Sequence, residues 1–148
     1  MTERGRQERA PYRLAIVDDS PYHRLRFAKL FGRSEALEVV GMAADGEEGV
    51  GLIASARPDV VLLDLTMPRM DGFAVLRWVM AHAPLPIVVC SSRTDRDSVF
   101  KALELGAVDY IIKPGTGRDS LARIERYLLD RVVAAAGARV EARPIAPA

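Results

Sequence analysis

The sequence holds one cysteine, Cys90, among its 148 residues. A lone thiol makes neither an intramolecular disulfide nor a thiolate metal cluster, so a reducing compartment suits the chain. No apolar run approaches the roughly 18–20 residues that span a bilayer, and residues 1–11 lack the apolar stretch of a signal peptide. Charge bias is also missing. The net charge is +1, so the overall field argues neither for nor against nucleic acid. Arg4, Arg6 and Arg9 make the N-terminus basic, which reads as a solvated, disordered arm rather than a nucleic-acid contact. Histidine is scarce: His23 and His82 are the only two. The expectation is a soluble, cytoplasmic protein without membrane insertion.

What is present is ordinary for a soluble domain: 49% hydrophobic and 28% charged residues. The length fits one unit with modest tails, large enough to bury a core without disulfides. The pattern divides it into a basic arm over 1–11, a structured unit over 12–136, and a tail or interdomain linker over 137–148. Pro144 and Pro147 interrupt the last stretch, which has no periodicity.

Within the unit, five short apolar runs recur: Leu14 to Val17, Leu37 to Val40 (ending at Gly41), Val60 to Leu63, Ile87 to Cys90, and Val108 to Ile112. Their length and Val/Ile content suit strands buried on both faces. Helical spacing fills the gaps. Ser20, Asp45, Asp71, and either Thr94 or Asp95 are candidate N-caps. Leu25, Phe27, Ala28, Leu30 and Phe31 supply the inward side of the first helix, and Val50, Ile53 and Ala54 that of the second. Phe73, Val75, Leu76 and Val79 do so for the third, and Val99, Ala102, Leu103 and Leu105 for the fourth. A fifth helix is predicted from about Arg118 to Ala135. Five strand–helix alternations predict an α/β fold with a parallel sheet covered on both faces.

The polar residues that need explaining fall at one end of these strands. Asp18–Asp19, Asp64, Ser91 and Lys113 each follow an apolar run at its C-terminal boundary. In an open parallel sheet, ligands bind outside the carboxyl ends of the strands, so the four converge on one cleft. Singly, each is an ordinary turn acid, loop serine or solvated lysine. Jointly, independent turns would not place complementary chemistry at four strand ends. Three carboxylates in one cleft repel one another, and a hard divalent cation such as Mg²⁺ removes the conflict. Asp19 and Asp64 are then direct ligands, with Asp18 holding a metal-bound water. A carboxylate also serves as a nucleophile toward phosphorus, giving an aspartyl-phosphate. Lys113 neutralises charge on the transferring group, and Ser91 (or Ser92) donates to it.

These residues sit in stretches that resemble the response-regulator receiver family. The resemblance runs through Ile16-Val17-Asp18-Asp19-Ser20, Leu63-Asp64-Leu65-Thr66-Met67-Pro68-Arg69-Met70-Asp71-Gly72 and Cys90-Ser91-Ser92. It continues through Ala102-Leu103-Glu104-Leu105-Gly106-Ala107 to Asp109-Tyr110-Ile111-Ile112-Lys113-Pro114, covering about residues 12–130. It implies a flavodoxin-like, doubly wound (βα)5 fold with five parallel strands in the order 2-1-3-4-5. By position it makes Asp64 the phosphoacceptor, Asp18 and Asp19 the metal-binding pair, Thr66 a backbone-carbonyl contact to Mg²⁺, Ser91 the switch hydroxyl, Tyr110 the switch aromatic and Lys113 the site lysine. It also implies a cis Lys113–Pro114 bond. The implied partners are a histidine kinase as phosphodonor and a downstream protein bound at the fourth-helix, fifth-strand, fifth-helix face. Thr66 and Arg93 flank the site and are expected to set the lifetime of the phosphorylated state.

Within that family, Met67 to Gly72, Ser91-Ser92-Arg93-Thr94, Arg57-Pro58-Asp59-Val60 and Ala102 to Ala107 resemble the receiver of chemotaxis methylesterases. The esterase half of such a protein needs its own serine, histidine and aspartate on a second domain's length of chain. These 148 residues have no room for that half or for a helix-turn-helix. The chain is expected to be no enzyme beyond its own phosphorylation and dephosphorylation. It is either a stand-alone receiver or a longer regulator cut near Arg143–Ala148. A phosphatase using the same carboxylate is the rival enzymatic reading, but no residue stands out as the acid for a leaving alcohol. A flavodoxin-like cofactor carrier is weaker still, because the first strand–helix turn is acidic and lacks phosphate-holding groups.

Overall fold

Four helices begin where a side chain accepts a hydrogen bond from the helix's own first turn, and these caps fix the boundaries in the computed structural model. It describes residues 11–113 and 118–142, apart from the side chains of 118–121. Ser20 accepts from His23 N at 3.2 Å and opens α1 (Pro21–Gly32), with proline in the first turn, where its missing N–H costs nothing. Asp45 accepts from Glu48 N at 2.9 Å and opens α2 (Gly46–Ala56). Asp71 and Asp95 do the same for α3 (Gly72–His82) and α4 (Arg96–Glu104). Such a cap contributes about 1 kcal/mol. Helix α5 covers Arg118–Ala136.

Five strands alternate with them: β1 (Tyr12–Val17), β2 (Leu37–Ala43), β3 (Val60–Leu63), β4 (Ile87–Ser91) and β5 (Asp109–Ile112). All neighbouring pairs are parallel, and the order across the sheet is β2-β1-β3-β4-β5, the expected doubly wound arrangement. Because strand side chains alternate faces, the core divides in two. Ala15, Val17, Val61, Leu63, Ile87 and Val89 pack with residues of α2, α3 and α4 such as Ile53, Leu76, Val79 and Ala102. Leu14, Ile16, Val60, Leu62, Val88 and Cys90 pack with Phe27 and Phe31 of α1 and Leu128 and Val132 of α5.

Several expectations need correction. Burial on both faces holds for β3, β4 and most of β1, but not for β2 and β5, whose outer positions Met42 and Ile112 are exposed. Those two strands are the sheet edges, where one neighbour is missing. Strand β2 does not stop at Gly41. It bulges between its pairings with Leu14 and Ala15 and continues to Ala43. Gly41 is there for packing, since a Cβ would lie 2.6 Å from Leu52 Cδ1. Leu25 is 57% exposed and Leu103 40% exposed, and Ala54 also faces out. At about 100° per residue, each is turned away from the buried Phe27, Ala102 and Ile53. The first residues after α5 stay in contact with the unit. Ala138 N donates to Ala135 O at 2.9 Å, and Val140 packs against the α2–α4 side of the core. Residues 1–10, 143–148 and the Lys113–Pro114 bond, for which a cis isomer was expected, lie outside the described residues.

Candidate functional site

The carboxyl ends of β1 and β3 are tied together directly: Asp64 N donates to Val17 O at 2.9 Å. Asp18 and Asp64 therefore emerge side by side, both nearly buried at 2% and 5% exposure. Ser20 N donates to Asp18 Oδ1 at 2.8 Å, and Leu65 N to Asp64 Oδ1 at 2.8 Å, so each carboxylate is aimed by the loop that follows it. Asp19 faces solvent, yet a carboxylate oxygen from each of Asp18, Asp19 and Asp64 lies within 4.8 Å of the others.

Lys113 comes in from β5. Its backbone N donates to Ser91 O at 2.8 Å, binding the ends of β4 and β5. Its ammonium stands 2.9 Å from Asp18 Oδ2 and 3.1 Å from Asp64 Oδ2. Burial pushes the Asp64 carboxyl above its ordinary range; Lys113 opposes that and the neighbouring Asp18 charge reinforces it. For Lys113, burial alone would lower the pKa, but Asp18 and then Asp64 outweigh it and hold the ammonium above its ordinary value. Three carboxylates against one ammonium leave two negative charges. A divalent cation matches that charge and this all-oxygen donor set. Asp18, Asp19 and Asp64 are the residues that could hold one.

Ser91 is fully buried and Ser92 exposed, which singles out Ser91 as the inward hydroxyl. Ser91 Oγ accepts from Arg93 N at 3.1 Å, and Tyr110 donates its hydroxyl to Arg93 O at 2.8 Å. The Arg93 peptide thus hangs between serine and tyrosine. Tyr110 is half-buried, and that burial raises its phenol pKa. The Arg93 side chain crosses the cleft mouth, donating to Thr66 Oγ1 at 3.1 Å and lying 5.8 Å from the Phe73 ring centre. Thr66 itself is exposed at the rim.

All seven residues singled out from the sequence (Asp18, Asp19, Asp64, Thr66, Ser91, Tyr110 and Lys113) fall at this end of the sheet. The histidines do not join them. His23 holds Ser20 Oγ through Nδ1 at 3.0 Å, and His82 stacks on Trp78 at the far end of α3. Sequence reasoning missed Arg24, whose guanidinium donates to the Asp18 carbonyl at 2.7 Å. The available signal was an arginine one turn into a helix that starts beside an acidic pair.

The sequence profile described as the response regulator receiver domain matches residues 14–125. The chain belongs to the response-regulator receiver family. This receiver is 50% identical over 105 residues to protein-glutamate methylesterase/protein-glutamine glutaminase 3 of Geobacter sulfurreducens, an overlap of 71% of this chain and 28% of that protein. It is 45% identical over 141 residues to the corresponding protein 6 of Anaeromyxobacter dehalogenans, covering 95% of this chain and 39% of that one. The receiver therefore spans well under half the length of these curated relatives. Among solved structures it is similar to the response regulator domain of Thermotoga maritima CheB, with a TM-score of 0.80 and 31% identity over 87% of this chain and 98% of that one. It is also similar to a chain of the CheX–CheY–BeF3–Mg²⁺ complex from Borrelia burgdorferi, with a TM-score of 0.67 and 31% identity over 80% and 90% of the two chains. Among the described residues, no helix of this receiver is long and apolar enough to cross a membrane.

Proposed function

We propose that the receiver unit, residues 12–136, is a phosphorylation-driven switch in a cytoplasmic two-component pathway, with Asp64 as the acceptor and a histidine kinase as the donor. The observation that carries this is the Lys113 ammonium held between the buried carboxylates of Asp18 and Asp64. Asp18, Asp19, Asp64 and the Thr66 backbone carbonyl are the proposed Mg²⁺ site, and the Borrelia burgdorferi relative is a complex that contains Mg²⁺ and BeF3. Bound there, Mg²⁺ supplies positive charge opposite the transferring phosphoryl oxygens.

In the transfer step, Asp64 Oδ2 forms the new O–P bond while the bond from phosphorus to the donor's leaving atom breaks, and that atom keeps the electron pair. Lys113 moves its hydrogen bond from Asp64 Oδ2 to a phosphoryl oxygen. Ser91 turns its hydroxyl toward the same group. Arg93 N then loses its acceptor, and the Arg93 carbonyl that holds Tyr110 is released with it. Tyr110, whose ring already packs against the core with its hydroxyl near Ser91, then repacks, a population shift between two packings driven by new charge-assisted contacts.

The output face is proposed to lie over α4, β5 and α5, where Phe100, Leu103, Ile112 and Tyr127 stand exposed. The likeness to protein-glutamate methylesterases favours a chemotaxis-type pathway, with the receiver controlling a catalytic domain of that kind. Arg93 and Thr66, joined across the mouth, are proposed to limit water reaching the acyl phosphate.

The test is incubation with Mg²⁺ and acetyl phosphate followed by intact mass measurement. One added phosphoryl group, lost on heating and absent in Asp64→Ala, is the expected result. Sustained hydrolysis of a phosphoester by the isolated protein would favour a phosphatase instead.

A further inference from the structure

The loop that leaves Asp64, residues 65–71, carries the Thr66 carbonyl and the amide that aims Asp64, and it is held from both sides. At its far end Gly72 N donates to Leu65 O at 2.9 Å, and a Cβ on Gly72 would lie 2.3 Å from Asp64 O. In its middle, Met70 N donates to Pro68 O at 2.7 Å. On the other side the Met70 carbonyl lies against α2, only 1.8 Å from where a Cβ on Gly46 would sit. Between these contacts Arg69 has φ +67°, a left-handed conformation rare for a residue with a Cβ. Such a conformation persists only where its surroundings impose it.

Beside those backbone contacts, the Arg69 side chain is held by one carboxylate. Arg69 Nε and Nη2 stand 2.9 and 2.7 Å from Asp45 Oδ2. Asp45 is buried, and its other oxygen caps α2. The cap and the clamp are thus the same side chain. A rigid helix N-terminus holds the loop through an arginine whose outer surface is in water.

We infer that Asp45 and Arg69 are a positioning pair for the metal site, fixing the 65–71 loop so that the Thr66 carbonyl and the Asp64 carboxylate face one ion. Neither residue is among those assigned to the site. The inference rests on the receiver reading above and adds to it a residue pair outside the cleft. Groups that hydrogen-bond a metal ligand directly typically alter metal affinity about 10–100-fold, and a pair acting through the ligand-bearing loop belongs at the lower end of that range.

The test is calorimetric titration of Mg²⁺ into the full chain, with metal-free thermal unfolding measured on the same samples. The first variant is Arg69→Gly, because glycine accepts the left-handed backbone and so preserves the fold while removing the guanidinium. The second is Asp45→Asn, which keeps a capping oxygen and leaves the loop sequence untouched. Each is expected to weaken Mg²⁺ binding about 10-fold, with Arg69→Gly unfolding near the wild-type temperature. The double variant should be no weaker than either single one, and Arg69→Lys should recover part of the loss. Wild-type Mg²⁺ affinity in Arg69→Gly and Asp45→Asn, or losses that multiply in the double variant, would overturn the pair. Absence of Mg²⁺ binding by the wild-type chain would instead remove the receiver reading, and this inference with it.

Discussion

Replacing Gly46 with alanine tests how tightly the loop after Asp64 is seated. The added Cβ would stand 1.8 Å from Met70 O, 2.6 Å from Met70 C and 2.6 Å from Met70 Cβ. The obstruction is mainly backbone, so no side-chain rotation relieves it. Reaching ordinary contact at 3.4 Å requires the loop and α2 to part by about 1.6 Å, the difference between those two distances. Overpacking of this kind costs roughly 1–3 kcal/mol. For a chain of this size that lowers Tm by roughly 3–10 °C. The displaced segment carries the Thr66 carbonyl, so Mg²⁺ affinity should fall as well. Gly51 supplies the control. It lies in the same helix with nothing within 4 Å of its would-be Cβ, so Gly51→Ala should be neutral or stabilising by up to about 1 kcal/mol. The assay is thermal unfolding of both variants with and without Mg²⁺. If Gly46→Ala and Gly51→Ala unfold alike, the close approach of α2 to the loop is not what seats it.

Cys90 is buried and its thiol is pushed up to about 12, chiefly by burial. It should react with a disulfide reagent at neutral pH only as fast as the protein unfolds, and rapid labelling of the folded chain would contradict that burial. The Glu48 amide and Arg69 hold the Asp45 carboxyl below its ordinary value of 3.8. Its contribution to stability is therefore complete above that value and is lost as pH falls through the lower, folded-state value. Asp45→Asn should flatten the acid limb of a urea-midpoint titration, and an unchanged limb would count against the pair. Asp64 is shifted the other way, mainly by burial. Its penalty is absent below the ordinary value of 3.8 and is fully present above its raised folded-state value. Asp64→Asn should therefore be more stable than wild type in metal-free urea unfolding at neutral pH. Equal or lower stability would show that Lys113 more than compensates the buried charge.

Local chemistry was the most legible part of the chain. The caps at Ser20, Asp45, Asp71 and Asp95 each depend on a side chain and an amide three residues away; the first three stand where sequence placed them, and of the pair Thr94 and Asp95 the structure uses Asp95. The buried strands were equally plain, because a central parallel strand has to be apolar on both faces. The acid cleft followed from strand ends alone. What sequence obscured was tertiary. Gly41 looked like a strand terminus, but it is small because Leu52 lies over it. Leu25 and Leu103 looked like core because apolar character does not record which way a helix is turned. The Asp45–Arg69 clamp joins residues 24 positions apart through a left-handed backbone, and no local pattern announces either part.

The two ends of the sheet divide the labour between chemistry and attachment. Tyr12 begins β1, and Gly137 just beyond α5 lies against it, with the Tyr12 hydroxyl 3.4 Å from a would-be Cβ on Gly137. The unit is therefore entered and left at one pole, while Asp18, Asp64 and Lys113 occupy the other. A receiver wired in this way is a plug-in part. Its two junctions, near Tyr12 and Gly137, meet at the end of the sheet opposite the acid cleft.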